Sequence, residues 1–264
     1  MSKTKLTFLG TGTSQGVPMI GCGCEVCRSA DVRDRRLRAS VLVEHEGLTI
    51  LVDAGPDFRQ QMLRENVSHL DAILLTHNHK DHTGGLDDIR AFNYLDRKAT
   101  EIYCEKYVED SLRMEYSYAF AENKYPGAPE WRVHTIDEKP FDINGVKIIP
   151  IRGRHYKLPV LGFRFGNIAY CTDMNHIAEE EFEKLKGLDH FVINCVRRGR
   201  HISHFSLEGA LAVAEKVGAG HTWLTHLSHQ LPVYTELAAE LPEGVLPAYD
   251  GLVIEEEKGL CPRR

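Results

Sequence analysis

A chain of 264 residues, 42% hydrophobic and 27% charged, has the composition of a globular protein with room for one large core or two small ones. Its formal net charge of -6 argues against a protein that coats nucleic acid, and no apolar run approaches the length of a membrane span. Seven cysteines, three of them clustered at Cys22, Cys24 and Cys27, suit reduced thiols in the cytoplasm better than a disulfide framework.

Leu6–Leu9 reads as a strand ended by Gly10-Thr11-Gly12-Thr13, and no signal-peptide pattern precedes it. A long loop through Gly16, Pro18 and Gly21 carries the three cysteines. The basic run Arg33, Arg35, Arg36 and Arg38 reads as a solvated face. Val41–Glu44 and Leu48–Val52 are strands about a turn at Gly47. Asp53-Ala54-Gly55-Pro56 ends the second, and a helix is expected from Asp57 to Glu65. The apolar run Ala72–Leu75 reads as a buried strand. It delivers Thr76-His77-Asn78-His79-Lys80-Asp81-His82, after which Gly84-Gly85 opens into a helix near Asp87–Phe92.

Glu101–Cys104 is a short strand. The aromatic stretch over 107–131 reads as a helical or irregular excursion from the core, expected to act as a lid over the site. Strands at Val133–Ile136, Val146–Ile151, Gly162–Phe165, Ile168–Cys171, Phe191–Cys195 and Trp223–Thr225 complete the set. Helices are expected at Ala178–Lys186 and Ser206–Val217. The pattern is of class α/β, two packed sheets with helices outside, in a single domain over 1–260. Residues 261–264 read as a disordered tail.

Four of the six residues from His77 to His82 are imidazole or carboxylate. Solvated surface does not need that density, and a core could not satisfy it cheaply. Neutral imidazoles and a carboxylate at a strand end suit a divalent transition metal, and their number suits two ions. His155, Asp173 and His226 stand at the ends of later apolar runs in the same style. Taken together, His77, His79 and His155 would hold one ion, Asp81, His82 and His226 the other, and Asp173 would bridge them.

The pattern His77-x-His79-x-Asp81-His82, then a lone His, a lone Asp after a strand and a late His, resembles the metallo-β-lactamase superfamily over nearly the whole chain. The resemblance implies an αββα four-layer sandwich with the metals in the cleft between the sheet edges. It also implies that Asp53 orients ligating histidines. The redox branch of that superfamily carries an acidic residue where this chain has His79, so hydrolysis is expected. Two dications against Asp81 and Asp173 leave the site at roughly +2, which suits an anionic substrate such as a phosphodiester.

Cys22-x-Cys24-x-x-Cys27 supplies three thiolates, and structural zinc commonly takes three Cys and one His. His229, three residues after His226, is the natural fourth ligand. With Phe8–Pro18, Leu224–Gln230 and Asp250-Gly251, these residues look like the phosphoribosyl 1,2-cyclic phosphate phosphodiesterase group of the carbon–phosphorus lyase pathway. The resemblance implies a dinuclear zinc or manganese site with a bridging hydroxide, a structural zinc, and a small cyclic phosphate ester as substrate. His204, directly before a helix, is implied as the general acid or a contact to the scissile phosphate, with Asp81 counted beside it as catalytic. His201 is the runner-up.

Arg197, Arg198 and Arg200 are candidate phosphate contacts. Ser206 reads as a helix N-cap, and Cys104, Cys171 and Cys195 as buried apolar residues. His45, His69, His134, His190 and His221 carry no motif. The alternatives are an RNA-processing nuclease related to transfer-RNA 3′-processing enzymes, a thioester or lactam hydrolase, and a zinc-holding scaffold. The expected partner is a small-molecule phosphodiester, not a membrane and not nucleic acid, with a homodimer as the default assembly.

Overall fold

Runs such as Ile50-Leu51-Val52 and Ala72-Ile73-Leu74 are apolar at every position because both faces of the strands they form are covered. The computed structural model describes residues 4–256; the expected tail over 261–264 lies outside the described residues. Strands β1 (Lys5–Gly10), β2 (Ser40–His45), β3 (Leu48–Val52), β4 (Ala72–Leu74), β5 (Thr100–Cys104) and β6 (Trp131–Thr135) form a first sheet. Strands β7 (Phe141–Ile143), β8 (Val146–His155), β9 (Leu158–Phe165), β10 (Ile168–Cys171), β11 (His176–Ile177), β12 (His190–Asn194), β13 (His221–Thr225) and β14 (Val245–Pro247) form a second. The last strand, β15 (Val253–Glu255), returns to the first sheet beside β1.

Each sheet is antiparallel on one side and parallel on the other. In the first, β3, β4, β5 and β6 run parallel; in the second, β10, β12, β13 and β14 do. Parallel neighbours end at the same edge, so the residues that follow them are brought side by side.

Alternation along the strands sorts the core into layers. Ile50, Val52 and Leu74 face Leu161, Phe163, Tyr170 and Val192 between the sheets. Leu51 and Ile73 turn outward to Phe58, Phe92 and Leu112, carried by helices α1 (Phe58–Arg64), α2 (Arg90–Asp96) and α3 (Lys106–Glu115). On the second sheet Phe191, Ile193 and Leu224 turn outward to Ala210 of α4 (Leu207–Val217) and Leu237 of α5 (Tyr234–Glu240). This is the αββα four-layer sandwich. Burying each large side chain contributes about 1.5–3 kcal/mol, enough for three such seams to hold the layers. No helix among the described residues is long and apolar enough to cross a membrane.

Three local expectations are corrected. Strand β8 continues past the expected end at Ile151 to His155, so Arg152-Gly153-Arg154 belongs to it. The segment expected as a helix over Ala178–Lys186 is a 3₁₀ helix, Glu179–Leu185. The basic run is not a solvated face: Arg36 is buried and donates to the Thr11 hydroxyl at 2.9 Å and the Ala248 carbonyl at 2.7 Å. Arg33 and Arg38 are tied to Asp31 and Asp57. Asp31 meets Arg33 locally, while Arg36 and Arg38 find acceptors distant in sequence.

Candidate metal centre

The ends of β3, β4, β8, β10 and β13 deliver Asp53, His77, His155, Asp173 and His226 to one edge of the sandwich. Asp53 organises the first-sheet side. Its carboxylate accepts the Thr76 N–H and hydroxyl, each at 2.9 Å, and the Nδ1–H of His82 at 2.6 Å. The Thr76 hydroxyl gives its proton to Asp53, so it accepts from His77 Nδ1 at 2.9 Å. Both imidazoles thereby carry their proton on Nδ1 and turn an Nε2 lone pair to the cleft. Gly55 is required here: a Cβ on it would lie 2.0 Å from the Asp81 carbonyl oxygen, so only glycine lets the Asp53 loop rest on the histidine loop.

The donors fall into two groups. The rings of His77, His79 and His155 are mutual neighbours, with centroids 4.6, 5.0 and 5.6 Å apart. The ligand atoms of Asp81, His82, Asp173 and His226 lie within 4.8 Å of one another. Asp173 stands between the groups. Its Oδ2 is 3.2 Å from both His82 Nε2 and His226 Nδ1, and its Oδ1 faces His204 Nε2 at 3.0 Å.

Asp53, Asp173 and His226 adopt left-handed backbone angles, φ 65°, 56° and 53°. For residues with a Cβ this costs on the order of 1 kcal/mol each, and neighbours must hold it. Asp53 donates its N–H to Leu74 O at 2.9 Å. After Asp173, Met174 donates to the Asn194 side chain at 2.7 Å and accepts from it at 3.0 Å. After His226, Leu227 donates to Thr11 O at 2.8 Å.

Burial pushes His155 and His226 down to about 4, against the pull of Asp173. It drives His77 lower still. Burial also opposes charge on Asp173 and Asp81, but the neighbouring imidazoles outweigh it: His226 and His82 at Asp173, His82 at Asp81. Both carboxyls are held well below the ordinary carboxylate range. His82 goes the other way: burial lowers it, but the charges of Asp173, Asp81 and Asp53 outweigh that and raise it well above the ordinary histidine range. Neutral imidazoles at His77, His155 and His226 beside ionised carboxylates make a donor set suited to a divalent transition metal. His77 Nε2, His82 Nε2, His155 Nδ1 and His226 Nδ1 are buried without a hydrogen-bond partner, which is costly unless they serve as ligands.

A second cluster joins Cys22, Cys24, Cys27 and His229, again with donor atoms within 4.8 Å of one another. The Cys22 and Cys24 sulfurs lie 3.3 and 3.4 Å from His229 Nδ1. Donors around a tetrahedral zinc stand about 3.5 Å apart for these bond lengths, so the spacing fits. The Cys27 backbone N–H and then His229 draw the Cys24 thiol down to about 6, while burial pushes Cys27 up to about 11. Leu227, between His226 and His229, is hydrogen-bonded to both Thr11 and Thr13, so the two clusters share one loop and the N-terminal segment.

A cavity of about 890 Å³ opens beside His204, bordered by Arg197, Arg200, His201, Tyr156 and Ile202. Arg198 is absent from this wall and pairs with Glu240.

Residues 49–227 match the family described as the β-lactamase superfamily domain, which is more than half of the chain. The chain belongs to that family. The crystal structure of a new diphosphatase from the PhnP family superposes with a TM-score of 0.90 at 39% identity, over 97% of this chain and 98% of its own. The octanoyltransferase of Porphyromonas gingivalis is 43% identical over 96% of this chain, and the chain spans about half, 52%, of that relative's length. Zinc-bound PqqB of Methylobacterium extorquens, at 18% identity over 95% of this chain and 99% of its own, shares the fold with a TM-score of 0.75. The chain has the metallo-β-lactamase fold, and its two donor clusters are candidate metal sites.

The β-lactamase superfamily site has here a brace where the sequence reading expected a lid. Val108, Leu112, Tyr116 and Ala119 pack on the outer face of the first sheet. From there Ser111 accepts from Asn78 at 2.8 Å, Tyr116 donates to Thr83 O at 2.8 Å, and Glu115 pairs with Lys80. Tyr107 donates to Pro159 O at 2.6 Å, tying α3 to the hairpin that presents His155. None of this stretch lines the cavity beside His204. The apolar spacing of Val108, Leu112 and Tyr116 was the signal for a packed helix. Thr76 and Asn194 were also overlooked; each is a polar residue closing an apolar strand, and neither carries a motif.

Proposed function

We propose that this protein is a metal-dependent hydrolase, a phosphodiesterase acting on a small cyclic phosphate ester of the phosphoribosyl 1,2-cyclic phosphate kind. The observation that carries the reading is His204. Its Nε2 lies 3.0 Å from Asp173, at the junction of the donor groups, and the same residue borders the arginine-lined cavity. A volume of about 890 Å³ suits a small molecule. The likeness to a PhnP-family diphosphatase over nearly the full length of both chains supports phosphorus as the reacting centre.

In this reading His77, His79 and His155 hold one divalent ion, Asp81, His82 and His226 the other, with Asp173 shared; Cys22, Cys24, Cys27 and His229 hold a structural zinc. Divalent ions bound there, zinc or manganese, supply an acidified water and charge for the phosphate oxygens. The chain's own residues do the rest. Asp53 and Thr76 fix the imidazoles that face the cleft. Arg197 and Arg200 take phosphate oxygens in guanidinium forks. His204 gives its Nε2 proton to the departing alkoxide.

Acyl transfer or thioester hydrolysis is a second reading, favoured by the 43% identity to a protein named octanoyltransferase. It ranks second because half of that relative lies beyond the match. A panel of ribosyl 1,2-cyclic phosphate, 2′,3′-cyclic nucleotides, bis(4-nitrophenyl) phosphate, precursor transfer RNA and an octanoyl thioester separates them. Turnover is expected to favour the ribosyl cyclic ester, with His204→Ala slowing it by on the order of 10²-fold. Turnover of the thioester alone would replace the first reading by the second.

A further inference from the structure

The hairpin that presents His155 turns back through two residues, Tyr156 and Lys157, since His155 pairs with Leu158. Two-residue turns favour glycine or asparagine where φ is positive, because a bulky side chain is strained there. Tyr156 holds such a position, with φ 57°. Its side chain is 51% exposed and borders the cavity beside His204. A strained aromatic residue kept on a cavity wall, where a turn residue would cost less, points to a use for its ring.

Ile202, two residues before His204, borders the same cavity and is 65% exposed. One amide holds both residues. The Asn175 side-chain oxygen accepts the Tyr156 N–H at 3.1 Å, and its side-chain nitrogen donates to the Ile202 carbonyl at 2.8 Å. The Asn175 backbone N–H donates to Arg154 O at 2.8 Å, which anchors the amide to β8. Making both side-chain bonds takes an acceptor and a donor on one short group, as an amide supplies. The tip of the hairpin and the turn before α4 are thereby joined, and each turns an apolar side chain to the cavity.

We infer that Tyr156 and Ile202 form the subsite for the sugar ring of the substrate, with Asn175 the residue that positions both. The inference rests on the reading of the site as a cyclic phosphodiesterase. In a ribosyl 1,2-cyclic phosphate the phosphorus is fused to the furanose. Phosphorus held between the donor cluster and His204 therefore leaves the sugar beside Tyr156, which follows His155, and Ile202, which precedes His204 by two residues. A furanose presents C–H groups on its face, and these pack on the Tyr156 ring and the Ile202 side chain. Such contacts are made alike before and during the reaction, so they lower KM rather than raise kcat.

The test uses the metal-loaded protein and its Tyr156→Asn, Tyr156→Phe, Ile202→Ala and Asn175→Ala variants. Two substrates are compared: ribosyl 1,2-cyclic phosphate, and the cyclic phosphate of ethylene glycol, which has the same five-membered phosphate ring and no sugar. Tyr156→Asn is expected to raise KM for the ribosyl ester on the order of 10-fold, with kcat within about twofold and a KM change within about twofold on the ethylene ester. Its melting temperature should equal or exceed the parent's, because asparagine suits the left-handed turn. Tyr156→Phe, which keeps the ring, should rescue KM. Ile202→Ala and Asn175→Ala should each raise the ribosyl KM about threefold. Saturation-transfer NMR with ribose 1-phosphate, a monoester, should show saturation reaching the sugar C–H protons from the parent and not from Tyr156→Asn.

An equal rise in KM on both esters would place the effect at the phosphate and overturn the inference. So would parent-like KM values in Tyr156→Asn and Ile202→Ala, or a lowered melting temperature with kcat lost on both esters. If the parent hydrolyses neither ester, the phosphodiesterase reading fails, and saturation transfer decides the subsite by itself. Its loss in Tyr156→Asn would then support the sugar subsite; its absence from the parent, or its persistence in the variant, would overturn it.

Discussion

Cys22, Cys24 and Cys27 lie within six residues and need one partner, His229, to close a set of four donors. The histidine–carboxylate cluster draws on the loop His77–His82 and on the ends of β8, β10 and β13. The first cluster is partly exposed and satisfies its donors among themselves. The second is buried, keeps partnerless nitrogens, and relies on left-handed backbone at Asp53, Asp173 and His226. A compact, closed set suits a structural ion; strained, partnerless donors suit a reactive one. The two nonetheless meet through Leu227, whose backbone bonds to Thr11 and Thr13 tie the loop between His226 and His229 to the N-terminal segment.

The sharpest way to break the contrast is Asp173→Ala. It removes the carboxylate shared by both donor groups and should lower hydrolysis by on the order of 10⁴-fold. Melting temperature should move little, since no core layer is disturbed. A variant that unfolds instead would show that Asp173 holds structure as much as chemistry.

Next in size is Cys24→Ser. Metal analysis should find the parent with about three ions, one of them resistant to mild chelation. The variant should lose that resistant ion and melt several degrees lower. Full metal content with an unchanged melting point would remove the structural role of the cysteine cluster.

A smaller effect is expected at Asp250, which accepts from the Thr11 hydroxyl and the Leu37 N–H beneath the segment that joins the clusters. Burial raises its carboxyl from 3.8 to about 6, against the Leu37 and Thr11 hydrogen bonds and the charges of Arg64 and Arg36. Between those values the folded chain keeps a proton that the unfolded chain has released. Stability should therefore fall as pH rises from about 4 to about 6, by a few kcal/mol at most. Asp250→Asn should flatten that slope in denaturant titrations, and an unchanged slope would assign it to another group.

The smallest change is Tyr107→Phe, which deletes the bond to Pro159 O. It should cost about 1 kcal/mol of stability and slow turnover only slightly. A large loss of activity would make α3 part of the site rather than its brace.

Much of the sandwich was legible because strands covered on both faces announce themselves as continuous apolar runs, as at Ile168–Cys171 and Ala72–Leu74. Short edge pieces such as β7, β11, β14 and β15 were not, since two or three residues carry no period to read. Arg36 looked like surface from its neighbours in sequence and proved buried, because its acceptors, Thr11 and Ala248, lie far from it along the chain.

By itself the sequence determined which chemical groups could gather: the imidazoles and carboxylate of His77–His82, the cysteine triplet, and the lone His and Asp at later strand ends. Spacing and apolar pattern encode those locally. Only the tertiary structure decided which nitrogens face the cleft. Asp53 and Thr76 orient the rings of His77 and His82, and Asn194 holds the turn after Asp173. These partners stand at the ends of separate strands. The direction of a ligating ring is fixed by three-dimensional contact, not by position along the chain.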